Sequence, residues 1–165
     1  MNQADGDIKV LVVEDKEPEY DKLCRWLGLR QHEVRQFNPD PLAQGRQAQG
    51  QSDRIRKVLE AELTRYRKLR VVILDLVLRD VDVNKPAVDF TGQSLCRYLH
   101  DNHENLSLVL VTMAPAFQDL YGFRRWGAAH AWVKPWAGGK PVPDPDEEAK
   151  QIRKLIDEDE PTAGP

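Results

Sequence analysis

Five short runs of apolar and β-branched residues alternate with stretches whose apolar positions recur at helical spacing, the pattern of an α/β protein with a parallel sheet. Ile8 to Val13, Val71 to Leu74 and Leu108 to Val111 are nearly continuous hydrophobics, as central strands covered on both faces should be. Two weaker runs, Glu33 to Phe37 and Ala131 to Val133, complete the set. Tyr20, Leu23, Cys24 and Leu27 predict an amphipathic helix with Pro18 in its first turn and Gly28 at its end. Ile55, Val58, Leu59, Leu63, Tyr66 and Leu69 predict a long second helix, with Ser52 as N-cap and a basic opposite face running from Arg54 to Arg70. Leu95, Tyr98 and Leu99 predict a third helix, Phe117, Leu120 and Tyr121 a fourth, and Ala149, Ile152 and Ile156 a fifth that starts near Asp144 and Pro145.

The connections Asn38 to Gln51 and Arg79 to Asp89 exceed ordinary lengths and are expected to be inserted surface loops, about 38–51 and 79–89. Residues 1–7 are expected to be a disordered terminus, 8–156 a single domain, and 157–165 a flexible acidic tail. A chain of 165 residues with 41% apolar content suits one core rather than two.

The formal charge of −3 removes any global electrostatic case for nucleic acid, and the basic helix face alone reads as a solvated surface. Cys24 and Cys96 lie in helical patterns with no C-x-x-C pair, as expected of buried free thiols in a reducing cytoplasm. The apolar runs are strand-sized and the N-terminus is acidic, so neither membrane span nor signal peptide is expected, and the expected location is cytoplasmic. His100 and His103 lie one helical turn apart without an evident third ligand, and read as surface residues. Gly138, Gly139 and Lys140 read as a turn, because a phosphate-binding loop needs a preceding spaced glycine and a following Ser or Thr. Trp126, Trp132 and Trp136 gather around the fifth strand, where core and partner surface are both open readings.

The candidate chemistry sits at strand ends. Glu14 and Asp15 follow the first strand and Asp75 follows the third. In a doubly wound sheet of order 2-1-3-4-5 those strands are neighbours, and their carboxyl ends share the crevice where the winding reverses. Carboxylates about 5 Å apart repel by about 3 kcal/mol per pair at an effective dielectric near 20, so the cluster calls for a cation. Oxygen-only ligands favour a hard, partly hydrated ion such as Mg²⁺. Thr112 and Lys134 follow the fourth and fifth strands, adding a hydroxyl donor and an ammonium to the same edge. Acceptor carboxylate, metal site and donors are the parts that phosphoryl transfer needs.

VLVVED at Val10 to Asp15, VVILDL at Val71 to Leu76, LVLVT at Leu108 to Thr112 and WVKPW at Trp132 to Trp136 together resemble the receiver domain of two-component response regulators, of the chemotaxis-regulator type. FTGQSLCRYL at Phe90 to Leu99 resembles the start of that family's third helix, and the resemblance spans about Ile8 to Ile156. It implies a flavodoxin-like, five-stranded doubly wound sheet. It further implies that Asp75 accepts a phosphoryl group from a histidine kinase or histidine phosphotransfer protein. Asp15 would bind Mg²⁺ directly and Glu14 through water, with Asp75 and the backbone carbonyl of Val77 completing the protein ligands. Thr112 and Lys134 would contact the phosphoryl group, and the Lys134–Pro135 bond would be cis. Output would pass to an unknown downstream protein, with no turnover of small molecules and with homodimerisation left open.

The sequence also departs from the family. Met113 stands where a small residue usually follows the Thr, and Ala131 stands where an aromatic switch residue is usual. Trp132 is in the wrong register to replace that aromatic, since adjacent strand residues face opposite ways. The loop after Asp75 is longer and more acidic than usual, with Asp80, Asp82 and Asp89. These departures define an alternative, a receiver-like interaction module that does not signal by phosphorylation. An aspartyl-phosphate phosphohydrolase of the haloacid-dehalogenase type fits less well, because the second acid it carries two residues after the nucleophile is here Val77.

Overall fold

The computed structural model describes residues 7–39, 48–76, 92–112, 120–136 and 145–157. Strand β1 (Val10–Val13) leads into helix α1 (Glu17–Leu27), β2 (Val34–Phe37), α2 (Ala48–Arg65) and β3 (Val71–Asp75). There follow α3 (Gly92–Asn102), β4 (Ser107–Thr112), a 3₁₀ helix (Leu120–Trp126), β5 (His130–Val133) and α4 (Pro145–Asp157). The strands form one sheet in the order β2-β1-β3-β4-β5, and every pairing is parallel. This is the expected doubly wound arrangement, and it puts the switch in winding between β1 and β3.

Alternation along the strands divides the core into two layers. Leu11 and Val13, Val72 and Leu74, and Leu108 and Leu110 pack with Ile55 and Leu59 of α2 and Leu95, Cys96 and Leu99 of α3. Val10 and Val12, Val71 and Ile73, and Val109 and Val111 pack with Leu23 and Leu27 of α1 and Ile152 and Ile156 of α4. Both faces of each central strand are therefore covered, which is why those runs carry no polar alternation.

Local chemistry fixes the ends of α1. Pro18 occupies its first turn beside Glu17 and Glu19, and Gly28 closes it in the left-handed conformation at φ 61°. There the Gly28 N–H donates to Arg25 O and the Leu29 N–H to Cys24 O, satisfying two end carbonyls. Asp146, Glu147 and Glu148 in the first turn of α4 meet the positive end of that helix.

Several boundaries differ from expectation. Helix α2 starts at Ala48, four residues before Ser52, so the connection expected to reach Gln51 is shorter; residues 40–47 of it, and the whole of 79–89, lie outside the described residues. Its apolar stripe runs past its end: Tyr66, whose N–H makes a last helical bond to Glu62 O, and Leu69 in the turn that follows are both buried, which a periodicity count cannot separate from helix. The expected fourth helix is, where described, the tighter 3₁₀ helix Leu120–Trp126. Asp157, placed in the tail by composition, ends α4, where Arg153 one turn earlier holds its carboxylate at 3.1 Å. No described peptide bond is cis, so Lys134–Pro135 is trans, the form an X-Pro bond favours by about 0.5–1 kcal/mol unless packing opposes it. Cys96 is buried as expected, whereas Cys24 is half-buried. Among the described residues no helix is long and apolar enough to cross a membrane.

Candidate functional site

The pairing of Val13 with Leu74 brings the ends of β1 and β3 side by side. Glu14 and Asp15 leave β1 there, and Asp75 is the last residue of β3. One carboxylate oxygen from each of the three lies within 4.8 Å of the others. Glu14 and Asp75 are buried, at 1% and 6% exposure, while Asp15 is half-buried. Thr112, the last residue of β4, is also buried, one step beyond the Val111 that pairs with Asp75.

Lys134 follows β5, and its backbone N–H donates to Thr112 O at 2.8 Å. Its fully buried side chain reaches back across the sheet edge, where Nζ donates to Glu14 Oε2 at 2.7 Å and to Asp75 Oδ2 at 2.9 Å. The structure thus gathers Glu14, Asp15, Asp75 and Lys134 at one point and sets Thr112 on the adjoining strand. Val77 and Met113 lie outside the described residues.

Three carboxylates facing one ammonium leave an excess of negative charge, and the protonation pattern reflects it. Burial, followed by repulsion from Asp75, pushes the Glu14 carboxyl up to about 8, against the pull of Lys134. Burial alone would lower Lys134, but Asp75 and Glu14 together override it and raise the ammonium above its usual value. Burial and mutual repulsion thus favour a proton on Glu14, while the neighbouring carboxylates favour the charged form of Lys134.

Asp15 supplies the test of whether a metal fits. Its Oδ1 is buried and has no hydrogen-bond partner, a deficit that costs about 1–3 kcal/mol for an ordinary polar atom. Glu14 Oε1, by contrast, accepts from the Lys16 N–H at 3.1 Å. An orphaned carboxylate oxygen beside two further carboxylates, with no nitrogen or sulfur donor in the group, fits a hard divalent cation that retains waters. Glu14, Asp15 and Asp75 are the residues that would hold it.

Two contributors were not foreseen. Glu19, one turn after Asp15, has Oε2 3.8 Å from Lys134 Nζ and accepts the Trp136 indole N–H at 2.7 Å. Burial works against its charge, but the bonds from Trp136 and Lys22 and the Lys134 charge prevail and lower its pKa. The available signal was an acid at helical spacing from the acidic pair. Gly92, at the start of α3, is the second: a Cβ there would lie 1.9 Å from the Asp75 carbonyl oxygen. Its N–H donates to Leu76 O at 3.1 Å, which seats α3 directly behind Asp75.

Other candidates fall elsewhere. His103 is not a detached surface residue, since Nε2 lies 2.8 Å from Glu60 Oε1, whereas His100 is exposed. Trp132 is buried on the α1 and α4 side while Ala131 packs on the other, as the strand register requires, and Trp126 lies on Ala131's side. Gly138, Gly139 and Lys140 lie outside the described residues.

No protein-family model and no curated protein matches this chain. Solved structures do match. The receiver domain of NtrX from Brucella abortus aligns with a TM-score of 0.57 at 20% identity, covering 90% of this chain and 98% of that one. A response regulator receiver domain protein from Clostridium thermocellum gives 0.56 at 14% identity over 92% and 95%. The beryllofluoride-activated N-terminal receiver domain of Klebsiella pneumoniae RstA gives 0.55 at 19% over 90% and 98%. The fold is that of a receiver domain. In this receiver fold the acidic cluster and Lys134 stand at the carboxyl edge of the sheet, at the point where its winding reverses.

Proposed function

We propose that the chain is a phosphoacceptor receiver in two-component signalling, phosphorylated on Asp75 in a Mg²⁺-dependent reaction that alters its contacts with a partner. The observation that carries this reading is the convergence of Glu14, Asp15 and Asp75 within 4.8 Å, with Lys134 bonded to two of them. Glu14, Asp15 and Asp75 would hold Mg²⁺, which when bound would supply positive charge to offset that of the phosphoryl group. An Asp75 carboxylate oxygen attacks phosphorus, the P–N bond of a phosphohistidine donor breaks, and the leaving nitrogen takes a proton. Lys134, which already touches Asp75, moves to an oxygen of the transferred group, and the Thr112 hydroxyl donates to another. Histidine kinases or phosphotransfer proteins are the implied donors, a protein is the implied target, and the cytoplasm is the implied setting.

Incubation with phosphoramidate and Mg²⁺ tests the reading by intact mass. One phosphoryl group should appear, and it should be absent from Asp75→Ala and in excess chelator. No adduct from phosphoramidate, acetyl phosphate or a kinase panel would sink it.

One observation favours a second reading. Ala131 holds the usual aromatic switch position, and Trp132 faces the opposite layer. A receiver-like interaction module without phosphorylation-driven output fits that pattern. NMR shifts that stay fixed when Mg²⁺ and beryllofluoride are added would select it.

A further inference from the structure

A groove of about 300 Å³ opens between α2 and α3, on the face of the sheet away from α1 and α4, and two arginines line it. Arg56 is half-buried, and its Nε lies out of solvent with no hydrogen-bond partner. A buried guanidinium N–H without an acceptor is costly, and more so than a neutral donor because the group is charged. The acid at helical spacing does not neutralise it: among the described residues Arg56 forms no ion pair with Glu60. Glu60, one turn after Arg56, accepts the Tyr98 hydroxyl at 2.8 Å on Oε1, and His103 Nε2 lies 2.8 Å from the same atom. The Tyr98 ring meanwhile supports the guanidinium, with Arg56 Cζ 4.9 Å from its centroid, so the cation is held in place before any ligand arrives.

Arg97 lines the α3 wall. It is exposed, and among the described residues it forms no ion pair, not even with Asp101 one turn later. Gln93 and Asn102 add neutral amides to the groove, although the Asn102 amide already donates to Tyr98 O.

We propose that this groove binds the phosphate of a compact phosphomonoester between Arg56 and Arg97. A planar carboxylate offers two oxygens and satisfies one guanidinium fork. The terminal oxygens of a phosphate can meet both arginines at once, including the Arg56 Nε–H that has no acceptor among the described residues. The volume suits a ligand at the small end of the usual range. Asp101 lines the same groove, and its carboxylate disfavours an extended polyanion. The groove shares no lining residue with the acidic cluster, although its Gln93 and Ser94 follow the Gly92 that packs on the Asp75 carbonyl.

The test follows the arginine Nε–Hε NMR signals of the whole chain in excess chelator, so that the acidic cluster cannot take up phosphate through a metal. Inorganic phosphate, phosphoserine and a nucleoside monophosphate are titrated separately, against sodium chloride at matched ionic strength. The Arg56 signal should move and saturate with at least one of them, and the tightest names the source of the phosphate. Arg97→Gln should weaken that binding about fivefold or more, the effect of losing about 1 kcal/mol. Arg56→Lys, which keeps the charge but not the fork, should weaken it as well, whereas Arg25→Gln on α1 should leave it unchanged. Shifts reproduced by chloride, or affinity unaltered in both groove variants, would overturn the proposal.

Discussion

Lys134 heads the fully buried side chains by volume, and it is a cation. Removing an ammonium from water costs several kcal/mol, offset here by Glu14 and Asp75 at hydrogen-bonding distance. Lys134→Met leaves two acids without their counter-charge, yet Glu14 already holds its proton up to about 8, so part of the penalty is relieved. We expect a loss of about 2–3 kcal/mol in urea unfolding at neutral pH, short of the roughly 3–5 that a broken buried pair reaches. Saturating Mg²⁺ should recover part of that loss in the same variant. Asp75, Thr112 and Lys134 were legible because each closes an apolar run, and a run marks a strand whose end faces a known edge. Glu19 was not, because its role depends on Trp136, 117 residues away in sequence.

At the scale of elements, α3 is held against β3 by the absence of one methyl group. Gly92→Ala brings a Cβ within 2.9 Å of three backbone atoms of Asp75 and Leu76, which have no flexible end to move aside. Overpacking of this kind costs about 1–3 kcal/mol. The phosphorylation rate should fall further in this variant than in Ser94→Ala on the same helix, measured with phosphoramidate.

A second tie joins the start of β2 to α4. Arg153 pairs with the buried Glu33 through both terminal guanidinium nitrogens. Burial disfavours the Glu33 charge, but Arg153 and the Arg30 N–H outweigh it and hold its pKa below 4.5. A depressed carboxyl contributes stability that is present above 4.5 and lost as pH falls through the folded value. Arg153→Met should cost about 2 kcal/mol at neutral pH, and its stability should fall less steeply than the parent's below pH 4.5, read by denaturant midpoints across that range. Such ties were invisible to periodicity, which located each described helix packed on the sheet but not where α2 begins or what fastens α4.

For the whole molecule, sheet order and the two core layers followed from five apolar runs and the helical stripes between them, since a parallel sheet covered on both faces has few arrangements. The contents of the surface did not follow, because a groove between helices depends on which acids are already engaged. One optical consequence spans the structure: Trp136 bonds Glu19 beside Lys134 and meets Trp26 edge-on, with ring centroids 6.1 Å apart. Mg²⁺ with beryllofluoride should change indole emission, and the change should vanish in Trp136→Phe but survive in Trp132→Phe. Equal loss in both variants would separate the signal from the site.

Lys134 also changes what the metal is needed for. Because Lys134 supplies counter-charge to Glu14 and Asp75, folding should not depend on an ion from outside even if the proposed reaction does. Excess chelator should leave the far-ultraviolet circular dichroism unchanged while abolishing phosphoryl uptake. Free Mg²⁺ then sets how many molecules are ready to react, not how many are folded.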